Sequence, residues 1–194
     1  LVHNAWYVEI CFLYGVANNG LAGVHFAAFE SENTPVPRLM SLANGTILEL
    51  GPGSGNQLPR FDRTVVSKIY GIEPNEYLFN QLRDETIEKH GLTDIYVPIH
   101  GALEDQKLLD SFGVVSGSMD TIVCMQVLCS VSDVSEAVKQ IHRLLKPGGQ
   151  LLFWEHTVSR DMTTRWVQGK SPKFCHSQQL SYVRQDYGHY FGSR

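Results

Sequence analysis

The sequence predicts a doubly wound α/β fold on a mainly parallel sheet. Three observations lead there. Short apolar runs alternate with stretches of helical periodicity, the pattern of right-handed crossover units that place helices on both faces of a parallel sheet. The first run, Thr46-Ile47-Leu48-Glu49-Leu50, enters the glycine-dense turn Gly51-Pro52-Gly53-Ser54-Gly55. The last, Gln150-Leu151-Leu152-Phe153-Trp154-Glu155-His156, follows Leu144-Leu145-Lys146-Pro147-Gly148-Gly149. There proline stops a helix and the glycines turn the chain into a buried strand. At 194 residues the chain has the length of one domain.

The elements follow in order. Asn33-Thr34-Pro35-Val36-Pro37 punctuates the chain, dividing an apolar N-terminal segment (1–36) from a core (37–169). A short helix should then lead into the strand at Thr46 to Leu50. Pro59 allows only a brief helix before a strand from Val65 to Ile72. Glu76 to His90 reads as helix, with Leu78, Leu82 and Ile87 near one face and Gly91 as its stop. Ile95 to His100 is the third strand and Ser118 to Met125 the fourth. In the helix Asp133 to Lys146, Val134, Ala137, Val138, Ile141, Leu144 and Leu145 repeat at helical spacing. Asp133 and Glu136 form its capping box, with Ser132 as the alternative cap. Residues 170–194 read as a divergent polar tail, in which Leu180 to Arg184 offers one short strand at best. The expected sheet is thus incomplete in its C-terminal strands and open at one edge.

Chemistry concentrates at the glycine turn. Glycine there permits positive φ and close approach of backbone to a ligand. Glu73, at the end of the next apolar run and about 20 residues on, sits where a carboxylate can accept ribose hydroxyls. That pairing points to an adenosine-bearing ligand. Gly51, Gly53 and Gly55 give Gly-x-Gly-x-Gly, and Asn56 stands where the dinucleotide fingerprint wants its third glycine. No Gly-x-x-x-x-Gly-Lys-Ser/Thr occurs, which excludes the usual nucleoside triphosphate loop.

With Glu49 ahead of the glycines, this stretch is similar to the first motif, Glu/Asp-x-Gly-x-Gly-x-Gly, of the class I S-adenosylmethionine-dependent methyltransferases. Gly101-Ala102-Leu103-Glu104-Asp105, Gln126-Val127-Leu128-Cys129-Ser130-Val131 and the Leu-Lys-Pro-Gly-Gly turn follow in that family's order. Val-Leu-Cys-Ser-Val and Glu155-His156 resemble more narrowly a methyltransferase-like branch related to the ubiquinone/menaquinone C-methyltransferases. Some animal members of that branch methylate thiols. Leu58-Pro59-Arg60-Phe61-Asp62 and Ile69-Tyr70-Gly71 look like its fungal members, and the resemblance spans Phe26 to Gly169.

The resemblance implies S-adenosyl-L-methionine as cofactor. Glu49, Gly51, Gly53 and Gly55 would lie near its methionine end and Glu73 on its ribose. Leu103 and Glu104 would lie at the adenine, and Gln126 beneath the sulfonium. Glu104-Asp105 reads equally well as a cap for a following helix. Methyl transfer depends on positioning, so no universal catalytic side chain is required. The implied acceptor is a small molecule presenting a thiol, hydroxyl or carbon. For a thiol or hydroxyl, His156 is the candidate base and Glu155 its orienting neighbour; a histidine satisfying local backbone groups is the competing reading. The alternative function is a truncated methyltransferase-like protein without activity, because the family pattern fades after Gly169. An aminopropyl transferase would want acidic residues that Gln126-Val127-Leu128-Cys129 lacks.

Composition bounds the rest. A net charge of −4 with no basic stripe argues against nucleic acid as partner. Cys11, Cys124, Cys129 and Cys175 show no Cys-x-x-Cys spacing and read as reduced thiols in a cytoplasmic protein, Cys129 as a buried structural one. Eight histidines fall in no metal-ligand spacing, so no metal is expected. Ala5 to Ala17 is apolar apart from Glu9, shorter than the roughly 20 residues a membrane span needs. A helix laid over the cofactor is one reading of it, and a peripheral membrane contact is the other.

Overall fold

The computed structural model describes residues 30–157, and the backbone of 177–184. The apolar N-terminal segment Ala5 to Ala17, for which a helix over the cofactor is one expectation, lies outside the described residues, as do Cys11 and Cys175. Six strands form one sheet: β1 (Gly45–Leu50), β2 (Val66–Glu73), β3 (Tyr96–His100), β4 (Met119–Met125), β5 (Leu145–Thr157) and β6 (Ser177–Arg184). Their order is β3-β2-β1-β4-β5-β6. The first five run parallel and β6 pairs antiparallel with β5. The helices are α1 (Val36–Met40), α2 (Glu76–Gln81), α3 (Ile87–Lys89), α4 (Gln106–Ser111) and α5 (Val134–Leu144).

Alternation along the strands divides the core in two. Ile47, Ile69, Val123 and Leu152 join Val36, Leu39 and Met40 of α1, Leu82 and Ile87 on one face. Leu48, Leu50, Ile72, Ile122 and Cys124 join Leu109 of α4 and Ala137, Ile141 and Leu144 of α5 on the other. Helices therefore cover both faces, as the alternating pattern of the sequence requires. Strand order reverses between β1 and β4, and ligands of such sheets bind beyond the carboxyl ends at that switch.

Several elements differ from expectation in instructive ways. The helix from 76 to 89 is interrupted by a π-helical turn at Leu82–Thr86. Leu82 and Ile87 are five residues apart, a spacing a regular helix turns away from a common face; the wider turn keeps both buried. Asp133 caps α5, accepting from the Glu136 amide at 3.1 Å. Ser132 instead donates to Glu104 Oε1 at 3.2 Å. Helix α5 ends at Leu144, before the proline, and Leu145 already pairs with Met119 of β4. The Lys-Pro-Gly-Gly turn is a bulge inside β5, its Lys146 Nζ bonding both Asp120 oxygens at 2.7 Å. The expected open edge beside β5 is covered. Segment 177–184, within the polar tail, pairs with β5 from Gln150 to Thr157. Backbone pairing needs no apolar pattern, which is why a polar stretch makes a full strand.

Candidate functional site

Strand β1 ends at Leu50 and the chain turns at once: Gly51, Gly53 and Gly55 have φ of 56°, 59° and 95°. The three glycines are not equivalent. A Cβ on Gly51 would meet Val127 Cγ2 at 2.9 Å, so this glycine lets the loop after β4 approach. The Cβ position of Gly53 is open, so its backbone is free to meet a ligand. Gly55 is pressed from behind, its Cβ position 2.8 Å from Thr86 Cγ2. Of the residues expected at the cofactor, Glu49, Gly51, Gly53 and Gln126 line one pocket of about 470 Å³, its open mouth included. Gly55 lies behind the turn, against the helical run.

Glu49 is 1% exposed. Its Oε2 accepts from the Tyr96 hydroxyl at 2.7 Å, and its Oε1 has no partner. Burial pushes this carboxyl from the ordinary 4.5 to about 7; the Tyr96 hydrogen bond opposes the rise and the charge of Glu73 adds to it. Glu73 is also buried. Its Oε2 accepts from the Gly53 amide at 2.9 Å and its Oε1 from the Asn75 amide at 2.9 Å. The carboxylate expected on the ribose therefore also fastens the glycine turn to the end of β2. Burial raises its pKa, against the pull of those two amides and of His100.

Gln126 is the one non-glycine of positive φ among the described residues, at 60°. Its amide donates to the Trp154 carbonyl at 2.8 Å, so β5 holds the start of the loop. The next two amides, of Val127 and Leu128, donate to Glu155 Oε1 at 2.7 and 3.0 Å, and the Cys124 thiol reaches the same oxygen at 3.3 Å. One oxygen of Glu155 is thereby committed to the loop after β4. The orienting role expected of Glu155 depends on its neighbour on β5. His156 follows on β5, and its side chain lies outside the described residues.

Leu103 and Glu104 do not line this pocket. Leu103 is buried among Leu50, Ile72 and Ile99, and Glu104 is exposed beside Ser132. Asp105, not Glu104, caps α4, accepting from Leu108 N at 3.0 Å. Cys129 is half-buried rather than buried, since it sits in the loop between β4 and α5. Trp154 is core, on the α1 face.

Sequence reading missed the far wall of the pocket. Glu30 and Gln57 stand there, both buried, with Arg60 bonding Glu30 Oε2 at 3.0 Å and Gln57 Nε2 donating to the same carboxylate. No motif marks them. Tyr96 was missed too, although Gly71 inside β2 gave a signal: a glycine within a strand marks a close approach. Among the described residues no three His, Cys, Asp or Glu side chains group as a metal site, and no helix is long and apolar enough to cross a membrane.

Residues 27–191 match the methyltransferase-domain family, a wider span than the sequence resemblance. Human thiol S-methyltransferase TMT1B is 31% identical over 133 residues, 67% of this chain and 51% of that protein. The tRNA U34 carboxymethyltransferase of Idiomarina loihiensis is 27% identical over 144 residues, 69% of this chain and 40% of that protein. The chain thus spans about half the length of the curated relatives it matches. A S-adenosylmethionine-dependent methyltransferase from Aquifex aeolicus superposes with a TM-score of 0.52 at 19% identity, over 66% of each chain. Sheet order, glycine turn and family match agree: the chain belongs to the methyltransferase-domain family and carries the Rossmann-like fold of S-adenosylmethionine-dependent methyltransferases.

Proposed function

We propose that this chain is an S-adenosylmethionine-dependent methyltransferase domain acting on a small-molecule acceptor, with a thiol as the first candidate. The observation that carries the reading is the unpartnered Oε1 of buried Glu49 in the pocket between the glycine turn and Gln126. A buried carboxylate oxygen without a donor is costly, and a cationic ligand group removes that cost. The residues fit the cofactor on this ground: Glu49 takes the ammonium of its methionine end, and Gly53 offers uncovered backbone. Each Glu73 oxygen keeps a lone pair beyond its amide bond, the place for a ribose hydroxyl. Leu103 and Glu104 are assigned to the adenine and Gln126 to the sulfonium side.

When bound, the cofactor supplies a methyl group already activated by positive sulfur. The chain's part is to orient and to exclude water. Glu155 holds the loop that carries Gln126, and Glu30, held by Arg60, lines the pocket. His156 is assigned the thiol proton, which it would hold so that the acceptor is presented as a thiolate.

The thiol assignment draws on the human relative's name; the low negative charge favours it over the tRNA of the other relative. Calorimetric titration of S-adenosylhomocysteine tests the cofactor site, with Glu49→Gln expected to weaken binding about tenfold or more. Transfer of labelled methyl to an alkyl thiol, and none to tRNA, is the expected second result. A folded chain that binds no S-adenosylhomocysteine would overturn the reading in favour of a non-catalytic relative.

A further inference from the structure

Tyr96 stands on β3, and Glu49 on β1; β2 runs between them. The phenol reaches Glu49 by passing over Gly71. A Cβ at Gly71 would lie 2.0 Å from the Tyr96 oxygen, so any other residue there closes the path. Tyr96 is 4% exposed, and its hydroxyl is within hydrogen-bond distance of Glu49 Oε2 alone of the two carboxylate oxygens. One oxygen of the carboxylate is thereby fixed on the sheet side. The other has no partner among the described residues, and Glu49 lines the pocket.

We propose that Tyr96 is a positioning residue for the cofactor's amino-acid end, holding Glu49 so that its second oxygen meets the ligand ammonium, and that Gly71 is the gap that admits it. This rests on the cofactor-site reading above and assigns a role within that site. Among the described residues the charged and titratable groups facing Glu49 are Tyr96 from β3 and Glu73 from β2, and Glu30, paired with Arg60, lines the same pocket. Among the described residues only Tyr96 gives Glu49 a hydrogen bond. Loss of that bond raises the Glu49 pKa further, since it now lowers it.

The test is titration of two probes into the wild type, Tyr96→Phe and Gly71→Ala: S-adenosylhomocysteine, and methylthioadenosine, which keeps adenine, ribose and sulfur but lacks the amino acid. The wild type should bind both. Its affinity for S-adenosylhomocysteine alone should rise with pH through about 7, as Glu49 deprotonates. Tyr96→Phe should weaken S-adenosylhomocysteine about tenfold at neutral pH and move that midpoint upward by about one pH unit, with methylthioadenosine unchanged. Gly71→Ala should do the same by displacing the phenol. Equal weakening of both probes at all pH values, or no change in either, overturns the positioning role while leaving the cofactor site intact. A wild type that binds neither probe overturns the cofactor site itself. Should both variants fail to fold, the wild type decides: a pH-independent affinity for S-adenosylhomocysteine refutes the proposal.

Discussion

Glu155 at the end of β5 and Glu49 at the end of β1 are both buried carboxylates, yet they are furnished in opposite ways. One oxygen of Glu155 collects two backbone amides and a thiol. Glu49 has a single donor, Tyr96, and an oxygen with none. A buried charge surrounded by its own chain's donors completes the fold; one left half-served is held for something else. The difference separates scaffold from binding site without reference to any motif.

The largest effect should come from the well-served carboxylate. Glu155→Ala strands two part-buried amides and a buried thiol, and urea unfolding should show a loss of about 3 kcal/mol. If that variant is as stable as the wild type, the contrast with Glu49 collapses. Glu49→Gln should act through pH instead. A folded pKa of about 7 against 4.5 unfolded means the native state binds the extra proton in that window. Stability therefore falls as pH rises from 4.5 to about 7, by something on the order of 3 kcal/mol from Glu49, and is flat in this group above. Denaturant melts at a series of pH values should show most of this slope vanish in Glu49→Gln. The raised Glu73 and Glu155 contribute in the same direction.

Glu73 lies between the extremes, with one amide on each oxygen. Replacing it by Gln sets an amide donor against one of those N–H groups, and thermal unfolding should register about 2 kcal/mol. The smallest effect belongs to Asp133, which makes the same carboxylate-to-amide bond at an exposed helix start. Asp133→Ala should cost about 1 kcal/mol. Together the four variants rank carboxylates by what surrounds them.

Local pattern made the fold legible. The runs ending at Leu50, Glu73, His100 and Met125 needed only short windows of sequence, and so did the cap at Asp133. The glycine turn was legible because positive φ restricts residue type. What stayed hidden depends on residues far apart in the chain. Tyr96 and Glu49 meet only once β2 lies between them, and Glu30 joins the pocket by tertiary contact with Arg60. The π turn at Leu82–Thr86 escaped because it follows from packing, not from local preference. Of β6 only Leu180 to Arg184 was legible, as a short strand; its extension back to Ser177 was not, because that pairing is carried by backbone groups common to every sequence.

The pairing of β6 also bears on how the molecule is made. Synthesis proceeds from the N-terminus, and domains fold as their segments emerge. The outer edge of β5 pairs from Thr157 opposite Ser177 to Gln150 opposite Arg184, so it is fully covered only once residue 184 has been added. Until then a nascent sheet presents an unpaired length of strand, where a second nascent chain could dock. Completion of β6 thus closes the period in which this edge of β5 is open to misassembly.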